Sequence, residues 1–144
     1  MNKSNVIAII IVLVLVVGGG LFIANQQSPK VKEMKVAQGK YVEYSKAVLD
    51  KTVKNRRVLF FYASWCPICR PADANFKANA NKIPEDVMLI RVNYNDPDTD
   101  QEEKDLAKKY AITYQHTFVQ IDARGKEVIK WNGGQIDELL ANIK

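Results

Sequence analysis

The fold of this chain depends on residues 57–70, RVLFFYASWCPICR, which contain the only two cysteines among 144 residues. Within them, Val58–Ala63 is a continuous apolar run with the length of a strand buried on both faces of a sheet. Pro67 suits the first turn of a following helix, because its missing N–H would have no intrahelical partner there. Cys66 and Cys69 are therefore predicted to lie at the junction between a strand and a helix.

The rest of the chain alternates between strand-like and helix-like segments. We predict strands near residues 41–44, 58–63, 87–94, 117–122 and 127–131, each with an apolar or alternating pattern. We predict helices within residues 45–54, 67–82 and 99–110, and a last helix after Gly133-Gly134. The order β-α-β-α-β-α-β-β-α predicts an α/β fold, in which helices flank a mixed central β-sheet.

The N-terminal region predicts a membrane anchor. Residues 1–5 form a short flank, and residues 6–24 contain no charged side chain. As a helix, these nineteen residues would span about 28 Å, close to the thickness of a bilayer core. We expect an uncleaved signal anchor at 6–24, a linker at 25–38 and a domain at 39–144. The alternative is a cleavable signal peptide with its apolar core at Val6–Val17.

Both interpretations of the N-terminus take the rest of the chain across the membrane. Lys3 precedes the apolar run and favours a cytoplasmic N-terminus, although three lysines shortly after the run weaken that preference. We expect a single-pass protein of the cell membrane, with its domain on the periplasmic or outer side. This expectation concerns localisation and is independent of the chemistry of the dithiol.

The distribution of charge argues against nucleic-acid binding. The formal net charge is +5, but residues 38–144 carry 17 basic and 15 acidic side chains. The excess of positive charge therefore comes mainly from the N-terminal region. A nearly balanced domain with no basic cluster interleaved with aromatic residues does not have the electrostatic pattern of a nucleic-acid-binding protein.

Four features of residues 39–144 occur together: the apolar strand ending in Tyr62-Ala63-Ser64-Trp65, the dithiol, the strand that starts at Thr117, and the glycine-containing turn before the last helix. In this combination the segment resembles the thioredoxin family. With its apolar N-terminus, the chain is similar to membrane-tethered thioredoxins that work outside the bacterial cytoplasm. The resemblance implies a thiol–disulfide oxidoreductase with no cofactor besides its redox-active disulfide.

The spacing of the two cysteines suits this chemistry. Positions i and i+3 on a first helical turn bring two sulfur atoms within disulfide distance. The free N–H groups and dipole of the helix N-terminus favour a thiolate at Cys66, which we predict to be the nucleophile. Cys69, one turn further and expected to be more buried, would resolve the mixed disulfide. A structural zinc site is the alternative, but it needs four ligands, and only His116 is available as a further soft ligand.

Two positions depart from the pattern of the family. Phe60 stands where the family commonly has a buried acid, so we expect no internal carboxylate there, a solvated Asp73 and an exposed Arg91. His116 stands where the family has a cis-proline before Thr117. We expect the Gln115–His116 peptide bond to be trans, because a cis bond before a residue other than proline costs about 2.5–4 kcal/mol.

His116 is the only histidine of the chain, and its placement leaves several roles open. Against the dithiol it can accept a proton from Cys66, stabilise the Cys66 thiolate as an imidazolium, or complete a metal site. Alternatively, it is a loop histidine that points into solvent. The predicted surroundings of the two catalytic cysteines are Trp65, Pro67, Ile68, Gln115, His116 and Thr117.

The leading functional hypothesis is a tethered thiol–disulfide oxidoreductase, and we expect it to act as a reductase in preference to an oxidant. Its expected partners are protein thiols and disulfides, together with a membrane electron donor or acceptor. A second hypothesis is a copper-binding protein or metallochaperone that uses Cys66, Cys69 and His116, since thiolates and imidazole suit Cu(I). A third is a docking domain in which the dithiol is only a stabilising disulfide.

Overall fold

The computed structural model of the protein describes residues 40–144, and it contains the predicted order of strands and helices. The strands are β1 (Tyr41–Glu43), β2 (Arg56–Tyr62), β3 (Val87–Asn93), β4 (Thr117–Ile121) and β5 (Glu127–Asn132). The helices are α1 (Lys46–Lys51), α2 (Cys69–Ala78), α3 (Gln101–Lys109) and α4 (Ile136–Asn142), with a 3-10 turn at Ala80–Lys82. The predicted α/β fold is confirmed for this part of the chain.

The predicted anchor at 6–24 and linker at 25–38 lie outside the described residues, as does the predicted first residue of the domain, Gly39. Among residues 40–144, no helix combines the length and the apolar content that crossing a bilayer requires. The anchor therefore remains a prediction from the sequence.

The five strands form one mixed sheet in the order β1-β3-β2-β4-β5. β2 lies at the centre, parallel to β3 on one side and antiparallel to β4 on the other. Five consecutive residues of β2 are buried, from Arg57 to Phe61. This burial explains the unbroken apolar run in the sequence, because both faces of a central strand are covered.

Alternation along β2 divides the core into two layers. Val58 and Phe60 pack in the layer that contains Phe76 of α2 and Leu139 of α4. Leu59 and Phe61 pack in the opposite layer, together with residues of α1 and α3. The dithiol belongs to the first layer, so helix α2 holds it against the same face of the sheet as Phe60.

Side chains cap three of the helices. The Ser45 side chain accepts a hydrogen bond from the Val48 N–H, and Asp100 and Glu103 form a capping box at the start of α3. Gln135 forms a second capping box with Glu138 at the start of α4. Two predicted helices are shorter than expected, since α1 ends at Lys51 and α2 ends at Ala78. The prediction that Pro67 lies in the first turn of α2 is wrong, because α2 begins at Cys69 and Pro67 lies in the turn before it.

Candidate active site: the dithiol and its surroundings

The two cysteines lie where β2 passes into α2. The strand ends at Tyr62, a turn follows, and α2 begins at Cys69. Cys66 and Cys69 form a disulfide with their Cα atoms 5.2 Å apart. The Cys69 N–H donates to the Cys66 sulfur at 3.1 Å, and the Arg70 N–H points to the Cys66 carbonyl at 3.4 Å. Cys66 thus receives a backbone donor at the N-terminal end of the helix, as the spacing predicts.

Both cysteines are fully buried in this disulfide form. The expectation that Cys69 is more buried than Cys66 is therefore wrong for the oxidised protein. In the same turn, Pro67 is exposed, and Trp65 and Ile68 are 53% and 57% exposed. The sulfurs lie beneath a surface with two large apolar side chains.

Trp65 is fixed at this surface. Its indole Nε1 donates to the Asn95 carbonyl at 2.9 Å. Next to it, the Ser64 hydroxyl donates to the Asp96 carboxylate at 2.8 Å, and the Ser64 N–H donates to the same carboxylate. These bonds tie the turn before the dithiol to the loop between β3 and α3, so Trp65 is presented to solvent in a defined orientation.

His116 lies on the other side of the dithiol, just before β4. Its N–H donates to the Phe61 carbonyl at 2.8 Å, and its own carbonyl accepts from the Gly133 N–H at 2.9 Å. No peptide bond in residues 40–144 is cis, so the Gln115–His116 bond is trans as predicted. His116 has a left-handed φ of 61°, a conformation that few non-glycine residues adopt.

The His116 side chain is buried, and the alternative of a solvent-exposed loop histidine is wrong. The residue is 6% exposed. Its ring packs edge-on against Phe60 at 5.7 Å between centroids and lies 5.8 Å from the ring of Phe118. The main-chain bonds to β2 and to the β5–α4 loop turn the ring inward instead of into solvent.

The two ring nitrogens of His116 have different surroundings. Nε2 lies 3.0 Å from the Gly134 carbonyl oxygen, whereas Nδ1 is buried without a hydrogen-bond partner. One ring nitrogen and the sulfurs of Cys66 and Cys69 all lie within 4.8 Å of one another. The structure therefore brings together the three side chains that the sequence suggested as chemically active.

The remaining predicted surroundings lie beside this group. The Thr117 hydroxyl donates to the Tyr114 carbonyl at 2.8 Å and accepts from the Asn132 amide at 2.6 Å. Gln115 is half-buried. A cleft of about 460 Å³ opens next to His116, between Ile68 and the β5–α4 loop. These residues form a wall beside the dithiol.

Phe60 is buried where a carboxylate is usual in the family. It stacks on Phe118 with 4.5 Å between ring centroids and packs edge-on against Phe76 at 5.6 Å. An aromatic cluster therefore backs the dithiol.

A buried carboxylate is nevertheless present one turn along α2. Asp73 is 8% exposed, so the expectation of a solvated Asp73 is wrong. Its carboxylate accepts from the Tyr41 hydroxyl at 2.6 Å, from Lys77 at 2.7 Å and from Arg91 at 3.1 Å. Arg91 also pairs with Glu43 and is mostly buried, so the expectation of an exposed Arg91 is wrong as well.

One sequence signal could have revealed this carboxylate. Cys69, Asp73 and Phe76 occupy positions i, i+4 and i+7, which share one face of a helix. A large apolar residue such as Phe76 on a helix next to a sheet is expected to face the core, so this spacing places Asp73 near the core as well. Arg91 is the register partner of Phe60 on the neighbouring strand, which brings its guanidinium to this side of the sheet.

The pairing changes the ionisation of the groups involved. Burial alone would raise the pKa of Asp73, but hydrogen bonds from Lys77 and Tyr41 and the charge of Arg91 lower it below its ordinary value. Burial and the Asp73 carboxylate raise the pKa of Tyr41 far above its ordinary range. Asp73 is therefore ionised and Tyr41 is a neutral donor at neutral pH.

A second buried carboxylate belongs to the α3 capping box. Glu103 accepts from the Asn93 N–H at 2.8 Å and from the Asp100 N–H at 3.1 Å. Burial raises the pKa of Glu103 despite these bonds. Its partners are the backbone of β3 and of the α3 N-terminus, so its role is to join these two elements.

Comparisons with known proteins agree with this geometry. The thioredoxin family profile matches residues 35–144. Thioredoxin H2 of Arabidopsis thaliana is 38% identical over 82 residues, which cover 57% of this chain and 56% of that protein. Thioredoxin H4 of the same plant is 34% identical over 97 residues, which cover 66% of this chain and 76% of that protein.

A solved structure gives the same result. The X-ray structure of Fasciola hepatica thioredoxin superposes with a TM-score of 0.53 and 31% identity, covering 67% of this chain and 86% of that one. Together these relatives support thiol–disulfide oxidoreductase activity for the Cys66–Cys69 pair. On its fold, its dithiol and its profile match, the chain belongs to the thioredoxin family.

Proposed function

We propose that this protein is a membrane-tethered thiol–disulfide oxidoreductase that reduces protein disulfides outside the cytoplasm through Cys66-Pro67-Ile68-Cys69. The observation that supports it most directly is the Cys66–Cys69 disulfide at the start of α2, with a backbone N–H aimed at the Cys66 sulfur. The tether is the predicted anchor at 6–24, and the working part is the domain at 39–144.

The reaction proceeds through a mixed disulfide. The Cys66 thiolate attacks one sulfur of a partner's disulfide, forming a new S–S bond while the partner's second sulfur leaves as a thiolate and takes up a proton. Cys69 loses its proton and attacks the Cys66 sulfur, which releases the partner's first sulfur as a thiolate that takes up the second proton. One of the two protons comes from Cys69 and the other from solvent. The partner gains two electrons and two protons, and Cys66 and Cys69 end as the disulfide.

The surface around the dithiol favours protein substrates over small disulfides. Trp65 and Ile68 are large, exposed apolar side chains in the same turn as the buried cysteines. Exposed apolar groups of this kind bury area against a partner protein. Since both cysteines are buried in the oxidised form, the residues that cover the sulfurs must move locally before a thiol can attack the disulfide.

A reductase on the outer side of a membrane needs a continuing supply of electrons. We propose that a membrane protein with its own dithiol regenerates Cys66 and Cys69 by the same exchange chemistry. The direction of electron flow can be measured as the reduction potential of the pair. A value near −270 mV supports a reductant, whereas a value near −120 mV contradicts it and indicates an oxidant.

The activity is tested by the reduction of insulin with dithiothreitol as the electron source. We expect the described domain to accelerate precipitation of the insulin chains, and Cys66→Ser to abolish the acceleration. Cys69→Ser should accumulate a mixed disulfide, visible by mass spectrometry, because the resolving thiol is absent. An inactive wild-type protein would refute the proposal.

The tether is tested separately, with the full chain in bacterial cells. We expect the protein in the membrane fraction. We expect external protease to digest its domain in spheroplasts but not in sealed inside-out membrane vesicles, in which the outer face of the membrane is enclosed. A full-length protein in the soluble fraction, or a domain protected in spheroplasts, would contradict the proposed location. Neither result would change the interpretation of the dithiol.

A further inference from the structure

We propose that the reduced protein binds one Cu(I) ion through the sulfurs of Cys66 and Cys69 and Nδ1 of His116. The site goes beyond disulfide exchange, because it needs only the reduced dithiol and no redox partner. The argument rests on the distances among the three ligands, on the hydrogen bonding of the imidazole and on the burial of the group.

The three donors are close enough to hold one ion. One ring nitrogen of His116 and both sulfurs lie within 4.8 Å of one another. Metal–sulfur bonds of about 2.3 Å and metal–nitrogen bonds of about 2.0 Å place the ligand atoms of a trigonal site about 4 Å apart. The disulfide holds the two sulfurs about 2 Å apart, so once reduction breaks the S–S bond they must separate by about 2 Å to bind the ion.

The imidazole has the hydrogen bonding of a metal ligand. The Gly134 carbonyl 3.0 Å from Nε2 can only accept, so Nε2 carries a hydrogen and Nδ1 keeps its lone pair in the neutral ring. Metal-binding histidines usually donate their other ring N–H to a carbonyl or carboxylate, which fixes the tautomer and the ring orientation. Gly134 provides this second-shell bond.

The lone pair of Nδ1 has no partner in the protein. Nδ1 is buried without a hydrogen bond, although a buried polar atom left unsatisfied costs about 1–3 kcal/mol. The left-handed backbone of His116, with φ of 61°, adds a further cost. Two unfavourable features at one residue call for an explanation, and coordination of an ion by Nδ1 relieves the first of them.

The donor set and its surroundings select the metal. Two thiolates and an imidazole are soft or intermediate ligands that suit Cu(I). A closed zinc site usually has four protein ligands. Among residues 40–144, no further histidine, cysteine, aspartate or glutamate joins Cys66, Cys69 and His116 as a fourth ligand. All three residues are buried, and the rings of Phe60 and Phe118 pack against the imidazole, so the surroundings of the three ligands are largely apolar.

Binding and disulfide formation exclude one another. When Cu(I) binds, each thiol releases its proton to solvent and each sulfur forms a bond to copper, with no change in oxidation state. The site then carries one net negative charge, from two thiolates and one monovalent cation. Oxidation of the dithiol removes both thiolates, so it must release the ion.

The test is an anaerobic titration of the reduced full chain with Cu(I) in competition with a chromophoric Cu(I) chelator, followed by X-ray absorption spectroscopy. We expect one Cu(I) per chain, with two sulfur ligands and one nitrogen ligand. Pre-oxidised protein and Cys66→Ser should lose the site. His116→Asn should weaken binding by about tenfold or more, since it removes the only nitrogen ligand. Thr113→Ala, at an exposed position of the same loop, is the matched control and should bind as the wild type does.

Several outcomes would overturn the proposal. A copper spectrum with two sulfurs and no nitrogen would exclude His116 as a ligand, and unchanged affinity in a folded His116→Asn would do the same. Copper shared between two chains, seen as a dimer by mass spectrometry, or tighter binding of Zn²⁺ than of Cu(I) would also contradict it. If His116→Asn fails to fold, the wild-type spectrum alone decides. None of these results depends on insulin reduction, so the oxidoreductase proposal stands or falls separately.

Discussion

The Asp73 carboxylate and the Cys66–Cys69 dithiol are both buried and lie one helical turn apart at α2. They differ in how many hydrogen bonds their surroundings provide. Around Asp73, both carboxylate oxygens accept hydrogen bonds, from Tyr41, Lys77 and Arg91. Around Cys66 and Cys69, aromatic rings surround the dithiol, and the neighbouring His116 keeps one nitrogen without a partner. The charged group that stabilises the fold is thus kept apart from the group that performs the chemistry.

This separation has a physical basis. An ionised carboxylate against the dithiol would disfavour the Cys66 thiolate by repulsion between like charges. In this chain Phe60 lies behind the dithiol, and the buried carboxylate on α2 is that of Asp73, which forms ion pairs with Lys77 and Arg91. The comparison predicts that changes at the dithiol affect activity, whereas changes at Asp73 affect stability.

The largest effect should come from Cys66→Ser. We expect the rate of insulin reduction to fall to the uncatalysed rate, because the variant has no nucleophile for the partner's disulfide. Asp73→Asn, measured in the same assay below its melting temperature, should stay within about threefold of the wild type. A loss of activity in folded Asp73→Asn comparable to that of Cys66→Ser would show that the two groups are not separate.

The next effect is on stability. Asp73→Asn keeps the shape of the side chain but removes its charge, and Arg91 then has only the exposed Glu43 as an acidic partner. We expect the free energy of unfolding to fall by roughly 1.5–3 kcal/mol, the range for hydrogen bonds to charged groups. Urea unfolding at pH 7 measures the change. Asp98→Asn, at an exposed position, is the control and should lie within about 0.5 kcal/mol of the wild type.

The difference in stability between the wild type and Asp73→Asn should depend on pH. Since folding lowers the pKa of Asp73 below its ordinary value of 3.8, its stabilisation is complete well above pH 3.8. As the pH falls through 3.8 and then through the lower pKa of the folded state, the stabilisation is lost. The difference in stability between wild type and Asp73→Asn should therefore shrink below pH 3.8. A difference that stays constant down to pH 2 would contradict the ionisation assigned to Asp73.

The smallest effect should come from the exposed surface. Trp65→Ala removes a large apolar side chain, about half of which is exposed, and leaves both cysteines unchanged. We expect the rate with insulin to fall by roughly fivefold to tenfold, which corresponds to about 1–1.4 kcal/mol of lost contact with the partner. The rate with a small aliphatic disulfide should change much less. An equal loss with both substrates would mean that Trp65 shapes the dithiol itself.

The order of elements and the position of the dithiol could be predicted because they depend on local signals. The unbroken apolar run of β2 and the cysteine spacing are visible in any short window of the sequence. The approach of His116 to the dithiol followed from aligning Thr117 with the start of a strand in the family. None of these inferences needed knowledge of long-range side-chain contacts.

Asp73 and Arg91 were misjudged because their burial depends on contacts between distant elements. Asp73 on α2 meets Tyr41 on β1 and Arg91 on β3, which are 32 and 18 residues away. A charged residue on a short amphipathic helix is most often solvated, and only the sheet order β1-β3-β2 brings these partners together. The burial of Cys66 was missed for a similar reason, since it depends on how the turn folds over the sulfur.

The left-handed φ of 61° at His116 also limits how this position can change during evolution. A proline ring holds φ near −65°, about 125° away, so proline cannot occupy this backbone as it stands. Exchanging the histidine for the proline of the family therefore requires a different path for the chain between Tyr114 and Thr117, along with the new side chain. A His116→Pro variant would therefore have to change the backbone of this loop as well as the side chain.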